Sequence, residues 1–168
     1  MINDKIRDVL NEQINKEFYS AYLYLSMSAY FSEIGLYGFS KWAKIQSKEE
    51  IDHGMILFEY VLSRNSQVYL TQISPPKFDM NSPLEVFEQI YKHECSITSS
   101  VDSVANMSEC ECDLATRNFI DLYLNEQVEE ERAIFKIITK LKAFGSEKSA
   151  LYLIDKELSK REYEILSL

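Results

Sequence analysis

The stretch that decides the fold is Ser47-Lys48-Glu49-Glu50-Ile51-Asp52-His53, which contains a Glu-x-x-His step formed by Glu50 and His53. Residues three apart on an α-helix share one face, so this carboxylate and this imidazole point the same way. They belong to a stripe spaced alternately by about four and about three residues, the repeat of a helix face turned toward a core. A carboxylate buried there requires a counter-charge or a metal ion. The members of the stripe are Phe39, Ala43, Gln46, Glu50, His53, Leu57 and Tyr60.

The composition narrows the fold class and the kind of partner. The chain of 168 residues contains only 4 Gly and 3 Pro, and this scarcity of breaks favours long helices over a many-turned β architecture. The length suits one domain with a sizeable core, so we predict a single all-α domain over residues 1–168. The formal net charge of -9 makes nucleic acid and anionic membranes improbable partners and favours a cation.

Targeting signals and cysteine spacing indicate the compartment. The sequence begins without a basic segment followed by an apolar one, and it has no run of about 18 uncharged apolar residues, so we predict a cytoplasmic protein without membrane association. Cys95, Cys110 and Cys112 form no C-x-x-C pair and are expected to be free thiols. The alternative, that Cys110 and Cys112 bind a soft metal or become oxidised, stays open.

Periodicity, caps and breakers predict four long helices, a bundle over about residues 4–144, and a short fifth helix. Ser82-Pro83-Leu84-Glu85 is a capping box that opens the third helix. The segment from Asn65 to Asn81 has no helical period, and about 17 extended residues can traverse a helix of about 28 residues, so it is expected to be a long crossover between helices 2 and 3. The predicted helices run from Asn3 or Asp4 to Glu33, from Phe39 to Arg64, from Ser82 onward, from Asp113 to Phe144, and over about 148–159.

Each of the four long helices carries an acid near the middle of its core-facing stripe. The other three stripes are Leu10, Ile14, Glu17, Ala21, Tyr24, Ser28 and Phe31; Leu84, Phe87, Tyr91, Glu94, Thr98, Val101 and Ala105; and Ile120, Tyr123, Gln127, Glu130, Ile134, Ile137, Leu141 and Phe144. None of the four stripes contains Lys or Arg.

A bundle would bring Glu17, Glu50, His53, Glu94, Gln127 and Glu130 into one layer, whose negative charge two divalent cations would neutralise. Oxygen ligands with one imidazole suit Fe(II), Mn(II) or Zn(II), and this arrangement is known from di-iron carboxylate bundles with one long crossover.

Four motifs, spread over nearly the whole chain, make the sequence resemble the bacterial non-haem ferritins. They are Asn11-Glu12-Gln13-Ile14-Asn15-Lys16-Glu17 with Tyr24; Glu49-Glu50-x-x-His53; His93-Glu94; and Tyr123-Leu124-Asn125-Glu126-Gln127-Val128-Glu129-Glu130-Glu131. The fourth helix has Gln127-x-x-Glu130 where bacterioferritins and rubrerythrins repeat Glu-x-x-His.

The resemblance implies a role for each of these site residues. Glu17, Glu50 and His53 would bind the first iron, with Glu50 bridging, while Glu94 and Glu130 would bind the second. Gln127 would lie beside the second iron, and Tyr24 would adjoin the centre. Glu49, Glu126 and Glu129 match a third iron site just outside the pair. Ile51 stands where bacterioferritins carry a haem-ligating methionine, so no haem is expected.

The resemblance also implies a function. The expected protein is a ferroxidase that oxidises Fe(II) with dioxygen or peroxide and deposits ferric oxyhydroxide inside a hollow homo-oligomeric shell of 24 subunits. One alternative is a di-iron oxidase or peroxidase that stores no mineral. Another is a non-enzymatic bundle whose inward acids hold a structural zinc or pair with buried lysines, although the absence of Lys and Arg from the stripes disfavours that pairing.

Overall fold

The chain folds into five helices. The structure, a computed structural model, describes residues 2–77 and 81–164. The helices are α1 (Asp4–Glu33), α2 (Tyr37–Ser63), α3 (Pro83–Cys110), α4 (Leu114–Phe144) and α5 (Lys148–Leu158), and neither described range contains a strand. The predicted all-α four-helix bundle with a short fifth helix is therefore confirmed. None of these helices is long and apolar enough to cross a membrane.

The crossover between α2 and α3 lies along α1. The Asn11 side chain donates to Gln67 O over 3.1 Å and accepts from Tyr69 N over 2.9 Å, and Asn15 donates to Thr71 O over 3.2 Å. The chain therefore returns in the direction of α1, and α3 begins at the end of the bundle where α2 also begins. This confirms the predicted long crossover, of which residues 78–80 lie outside the described ranges.

The buried core consists of two apolar clusters. One is rich in aromatic rings and includes Phe31, Phe39 and Phe87, whereas the other is mainly aliphatic and includes Leu10 and Leu57. The predicted acids lie between these two clusters along each helix, so the bundle has a polar layer at mid-height. The stripe prediction is wrong at Phe144, which is 58% exposed because it is the last residue of α4 and the core ends one turn earlier.

Helix α5 closes one end of the bundle by capping α2. No side chain of α2's own N-cap accepts a hydrogen bond, and instead Asp155 Oδ1 accepts from Gly38 N over 2.7 Å and from Phe39 N over 3.0 Å. Its negative charge also complements the positive end of the helix dipole. A Cβ on Gly38 would lie 1.7 Å from Asp155 O, so this close approach of α5 requires glycine.

We expect Asp155→Ala to destabilise the metal-free protein by about 1 kcal/mol, the usual effect of losing a helix cap, and to lower its thermal midpoint by about 2–4 °C. Asp155→Asn keeps an oxygen acceptor and should lose less. Thermal unfolding followed by circular dichroism at one protein concentration tests this. Asp102→Ala, at an exposed position of α3, is the control, and equal midpoints for the two alanine variants would contradict the capping role.

Candidate metal centre

Two groups of buried ligand atoms meet at mid-height of the bundle, and they share Glu50. The first group is Glu17, Glu50 and His53, and the second is Glu50, Glu94 and Glu130; within each group the ligand atoms lie within 4.8 Å of one another. Each long helix contributes at least one of these side chains, as the stripes predicted. Because Glu50 belongs to both groups, a cation in each group would share this carboxylate.

Glu17 is oriented by a hydrogen-bonded chain that reaches the surface. The Gln13 amide donates a short hydrogen bond to Glu17 Oε1. Ser100 Oγ donates to Gln13 Oε1 over 2.6 Å and accepts from Lys16 Nζ over 2.6 Å. This chain fixes the amide of Gln13 with its nitrogen toward Glu17, which leaves Glu17 Oε2 without a hydrogen-bond partner and turned to the centre.

Glu94 is held from two sides. Tyr24 donates its hydroxyl to Glu94 Oε1 over 2.5 Å, and Gln127 donates its amide to Glu94 Oε2 over 3.3 Å. Both Tyr24 and Gln127 are buried. The structure therefore places Tyr24 and Gln127 in contact with Glu94, a member of the second group.

Glu50 and Glu130 are joined through the buried amide of Gln46. Gln46 Nε2 donates to Glu50 Oε1 over 3.0 Å and to Glu130 Oε1 over 2.8 Å. Glu50 Oε2 in turn lies 3.5 Å from His53 Nδ1. One amide from α2 thus bridges a carboxylate of its own helix and a carboxylate of α4.

Most of the unpartnered atoms at the site are carboxylate oxygens or imidazole nitrogens, which are atom types that bind metal ions. Within the described residues, the buried atoms that lack a hydrogen-bond partner include Glu17 Oε2, Glu130 Oε2 and both ring nitrogens of His53. Buried polar atoms are normally hydrogen-bonded, so such a concentration of unpartnered carboxylate oxygens and imidazole nitrogens at one place indicates a metal-binding site. These residues fit a pair of divalent cations.

Burial and mutual repulsion raise the pKa values of the inner carboxyl groups. Burial is the main cause at Glu50, Glu94 and Glu130, and the charge of a neighbouring glutamate adds to it, raising each pKa to about 8. Burial lowers the pKa of His53, but the carboxylates of Glu126 and Glu50 outweigh that effect and raise it well above its ordinary value. Among the described residues, His53 is the only basic side chain within 4 Å of these carboxylates.

The three acids predicted for an outer site lie on one pocket but do not converge. The pocket has a volume of about 290 Å³ and is lined by Glu49, Glu126 and Glu129 together with Arg161. Glu126 Oε2 lies 3.4 Å from His53 Nε2, and Glu129, which is 71% exposed, lies 3.7 Å from Arg132. Within the described ranges, these acids form no third group of close ligand atoms.

Sequence reasoning did not find the residues that orient the ligands. Gln13 and Gln46 are buried amides that each donate to a carboxylate, whereas the sequence indicates Gln46 only as a stripe member. The signal for both glutamines is helix spacing: each lies four residues before a ligand glutamate, Gln13 before Glu17 and Gln46 before Glu50, and residues four apart on a helix are neighbours.

His93 lies next to Glu94 in sequence, and its Nε2 is 2.7 Å from Ser20 Oγ. Burial lowers the pKa of His93 to about 4.

The raised carboxyl pKa values predict how stability depends on pH. A carboxyl whose pKa is raised on folding stabilises the folded state below its ordinary pKa of 4.5 and loses that contribution as the pH rises through about 8. We therefore expect the thermal midpoint of the metal-free protein to fall between about pH 6.5 and about pH 9, a range above the titration of His93.

Glu50→Gln removes one of the three raised groups and should flatten this dependence, with a higher midpoint than the wild type at about pH 9. Glu12→Gln, at an exposed position of α1, should follow the wild-type curve. Adding Zn(II) should raise the wild-type midpoint most at the alkaline end. Parallel curves for the wild type and Glu50→Gln would contradict the predicted role of the buried carboxyl.

Comparisons with known proteins agree with this architecture. The model of the ferritin-like domain matches residues 7–144. A bacterial non-haem ferritin of Bacteroides fragilis is 37% identical over 161 residues, covering 96% of this chain and 100% of that protein, and one of Campylobacter jejuni is 38% identical over 155 residues, covering 92% and 93%.

Solved structures show the same relationship. A closed form of the Archaeoglobus fulgidus ferritin, engineered by site-directed mutagenesis, matches with a TM-score of 0.96 and 44% identity, covering 98% of this chain and 100% of that one. The open-pore ferritin of the same archaeon matches with a TM-score of 0.94 and 45% identity over 96% and 98%. The chain therefore belongs to the ferritin family, as its resemblance to the bacterial non-haem ferritins predicted.

Proposed function

We propose that this chain is a ferritin subunit that oxidises Fe(II) at the centre between its four long helices and stores the product. The observation that carries the proposal is the pair of ligand groups that share Glu50. Two such groups hold two Fe(II) ions close together, and the carboxylates tolerate both oxidation states because oxygen ligands suit Fe(II) and Fe(III). The relatives named bacterial non-haem ferritin support iron as the metal.

The pairing of two ions suits the electron count of the reaction. Each Fe(II) gives up one electron, so two ions reduce one dioxygen and two protons to hydrogen peroxide, or one hydrogen peroxide and two protons to two waters. His53 and the carboxylates of Glu17, Glu50, Glu94 and Glu130 hold the two ions during this step. Tyr24, through its hydrogen bond to Glu94, and Gln13, through its hydrogen bond to Glu17, keep ligand oxygens in place.

An apolar face supports assembly into a homo-oligomer. Tyr22 and Leu25 of α1 and Ile51 of α2 are 53%, 47% and 45% exposed, and they line an apolar groove of about 410 Å³. Exposed apolar patches of this kind mark protein contacts, and the proposed occupant is another copy of this chain in a shell of 24 subunits. Ile51 offers no ligand atom for haem on this face, so haem is not expected. The proposed compartment is the cytoplasm.

The third iron position remains part of the proposal. Glu49, Glu126 and Glu129 share one pocket beside the inner pair, and Glu130 lines that pocket as well. A cation bound there would lie next to the centre and could be passed to or from it.

We expect metal-free protein to oxidise added Fe(II) in air faster than buffer alone, and Glu50→Ala to reduce the rate by at least about a hundredfold because both ion positions lose a ligand. Glu17→Ala should also lose most of the rate. Ferric absorbance reports oxidation, and size exclusion with iron analysis reports retained mineral. A shell of 24 copies of the 19.6 kDa chain should elute at about 0.5 MDa.

Glu12→Ala removes an exposed acid from the same helix as Glu17 and should oxidise iron like the wild type. Rapid oxidation in a small oligomer that retains no iron would favour a di-iron oxidase or peroxidase over a storage protein. Oxidation no faster than buffer would leave a structural metal site, such as zinc, or none.

A further inference from the structure

The segment after α5 runs back along the outer side of α2. Lys41 Nζ donates to Ser159 O over 2.7 Å, and Tyr163 donates its hydroxyl to Asp52 Oδ2 over 2.5 Å. Lys48 Nζ lies 5.2 Å from the centre of the Tyr163 ring. These contacts attach residues 159–163 to α2 at both ends of the segment, and they place Arg161 over the pocket of the outer acids.

Arg161 makes three contacts in that pocket. Its guanidinium donates a short hydrogen bond to Glu49 Oε2 and another to Gln46 Oε1 over 2.9 Å. It also lies 4.9 Å from the centre of the Trp42 ring, a cation–π contact. The side chain of Glu49 is only 13% exposed and that of Arg161 26%, so this ion pair is largely shielded from water.

The guanidinium lines the same pocket as the three outer acids. Glu49 is the least exposed of the three outer acids, whose side chains are 13%, 22% and 71% exposed at Glu49, Glu126 and Glu129. From the inner side, the fully buried His53 Nε2 faces Glu126 Oε2 at 3.4 Å, and both atoms lack a hydrogen-bond partner. The pocket therefore has two unpartnered ligand atoms on its inner side, at His53 and Glu126, whereas the carboxylate of Glu49 is already paired with Arg161.

The same guanidinium is connected to the inner centre. Gln46 accepts from Arg161 through Oε1 and donates through Nε2 to Glu50 and Glu130. Arg161 thus holds the one amide orientation in which both N–H groups of Gln46 point at ligand carboxylates. The position of Arg161 therefore affects Glu50 through Gln46, although Arg161 and Glu50 are not in direct contact.

We propose that Arg161 is a tethered cation that occupies the outer acidic site in the metal-free protein and leaves it when a divalent cation binds Glu49. The residue sets the affinity of that site, because an incoming ion must displace the guanidinium before Glu49 is free to bind it. The proposal rests on the proposed function, in which the outer acids take a metal ion.

Displacement requires only a local movement. Residues 161–164 belong to no helix or strand, and the attachments at Ser159 and Tyr163 do not depend on the ion pair of Arg161. The side chain can therefore swing into solvent while the segment stays on α2. The cation that replaces it brings two charges where the guanidinium brings one.

Calorimetric titration of the full-length, metal-free protein with Zn(II), which is redox-inert, tests the proposal. The first two equivalents report the inner centre and should bind before the third in both the wild type and Arg161→Gln. The third equivalent should bind about tenfold more tightly to Arg161→Gln, the effect of removing one charge-assisted hydrogen bond that competes with it. Lys160→Gln removes the same charge from the neighbouring exposed residue and should titrate like the wild type.

The emission of Trp42, the only tryptophan of the chain, gives a second measurement that needs no activity. In the wild type it should change as the third equivalent binds, because the guanidinium leaves the indole ring. In Arg161→Gln the third equivalent should leave it unchanged. Arg161→Lys, which keeps a charge but not the paired donors, should bind the third ion with an affinity between those of the wild type and Arg161→Gln.

Two results would overturn the proposal. One is equal affinity for the third equivalent in the wild type and Arg161→Gln, including the case in which neither binds it. The other is wild-type Trp42 emission that does not respond to the third equivalent. Loss of the first two equivalents in the wild type would instead refute the inner centre, so the two proposals fail in different parts of the titration.

Discussion

The structure depends on how four carboxylates are tolerated inside a helical bundle. Glu17, Glu50 and Glu94 are at most 1% exposed, and Glu130 joins them without a lysine or arginine in salt-bridge reach among the described residues. Removing such charges from water costs several kcal/mol each unless they are paired. Burial raises the pKa values of Glu50, Glu94 and Glu130 to about 8, so without metal these three carboxyls reduce this cost by holding protons near neutral pH. Two divalent cations would neutralise the same layer directly.

The rest of the fold stabilises this polar layer by packing apolar residues on both sides of it. The apolar clusters lie on either side, so the unfavourable polar section is thin and the bundle is stabilised above and below it. Amide donors then fix the carboxylates: Gln13 at Glu17, Gln127 at Glu94, and Gln46 at both Glu50 and Glu130. Every one of these donors is neutral, so it orients a ligand oxygen without neutralising it. The charge of the layer is left for cations.

Periodicity predicted the bundle and the members of its polar layer because both follow from which face of a helix is buried. The spacing around Glu50 and His53, repeated with an acid on each helix, needs no knowledge of the neighbours. Periodicity could not predict that the amides of Gln13 and Gln46 donate to ligand oxygens. It shows which face of a helix is buried, but not the side-chain rotamer or the direction in which an amide nitrogen points. It also failed at Phe144, because a stripe does not reveal where the partner helices end.

Arg161 shows most clearly what periodicity cannot predict. It lies in an irregular segment that has no hydrophobic period, and its partner Glu49 is 112 residues away in sequence. Its importance comes from Gln46, whose amide is fully used: one oxygen accepts from Arg161, and one nitrogen donates to both Glu50 and Glu130. Cations bound as proposed would draw these two carboxylates away from the Gln46 nitrogen and so weaken the orientation of the oxygen that accepts from Arg161. Since coupling between sites is reciprocal, a guanidinium that leaves Glu49 also loosens the amide at the bridging carboxylate. If both proposals hold, filling the inner pair and displacing Arg161 from Glu49 would favour each other through this one buried glutamine.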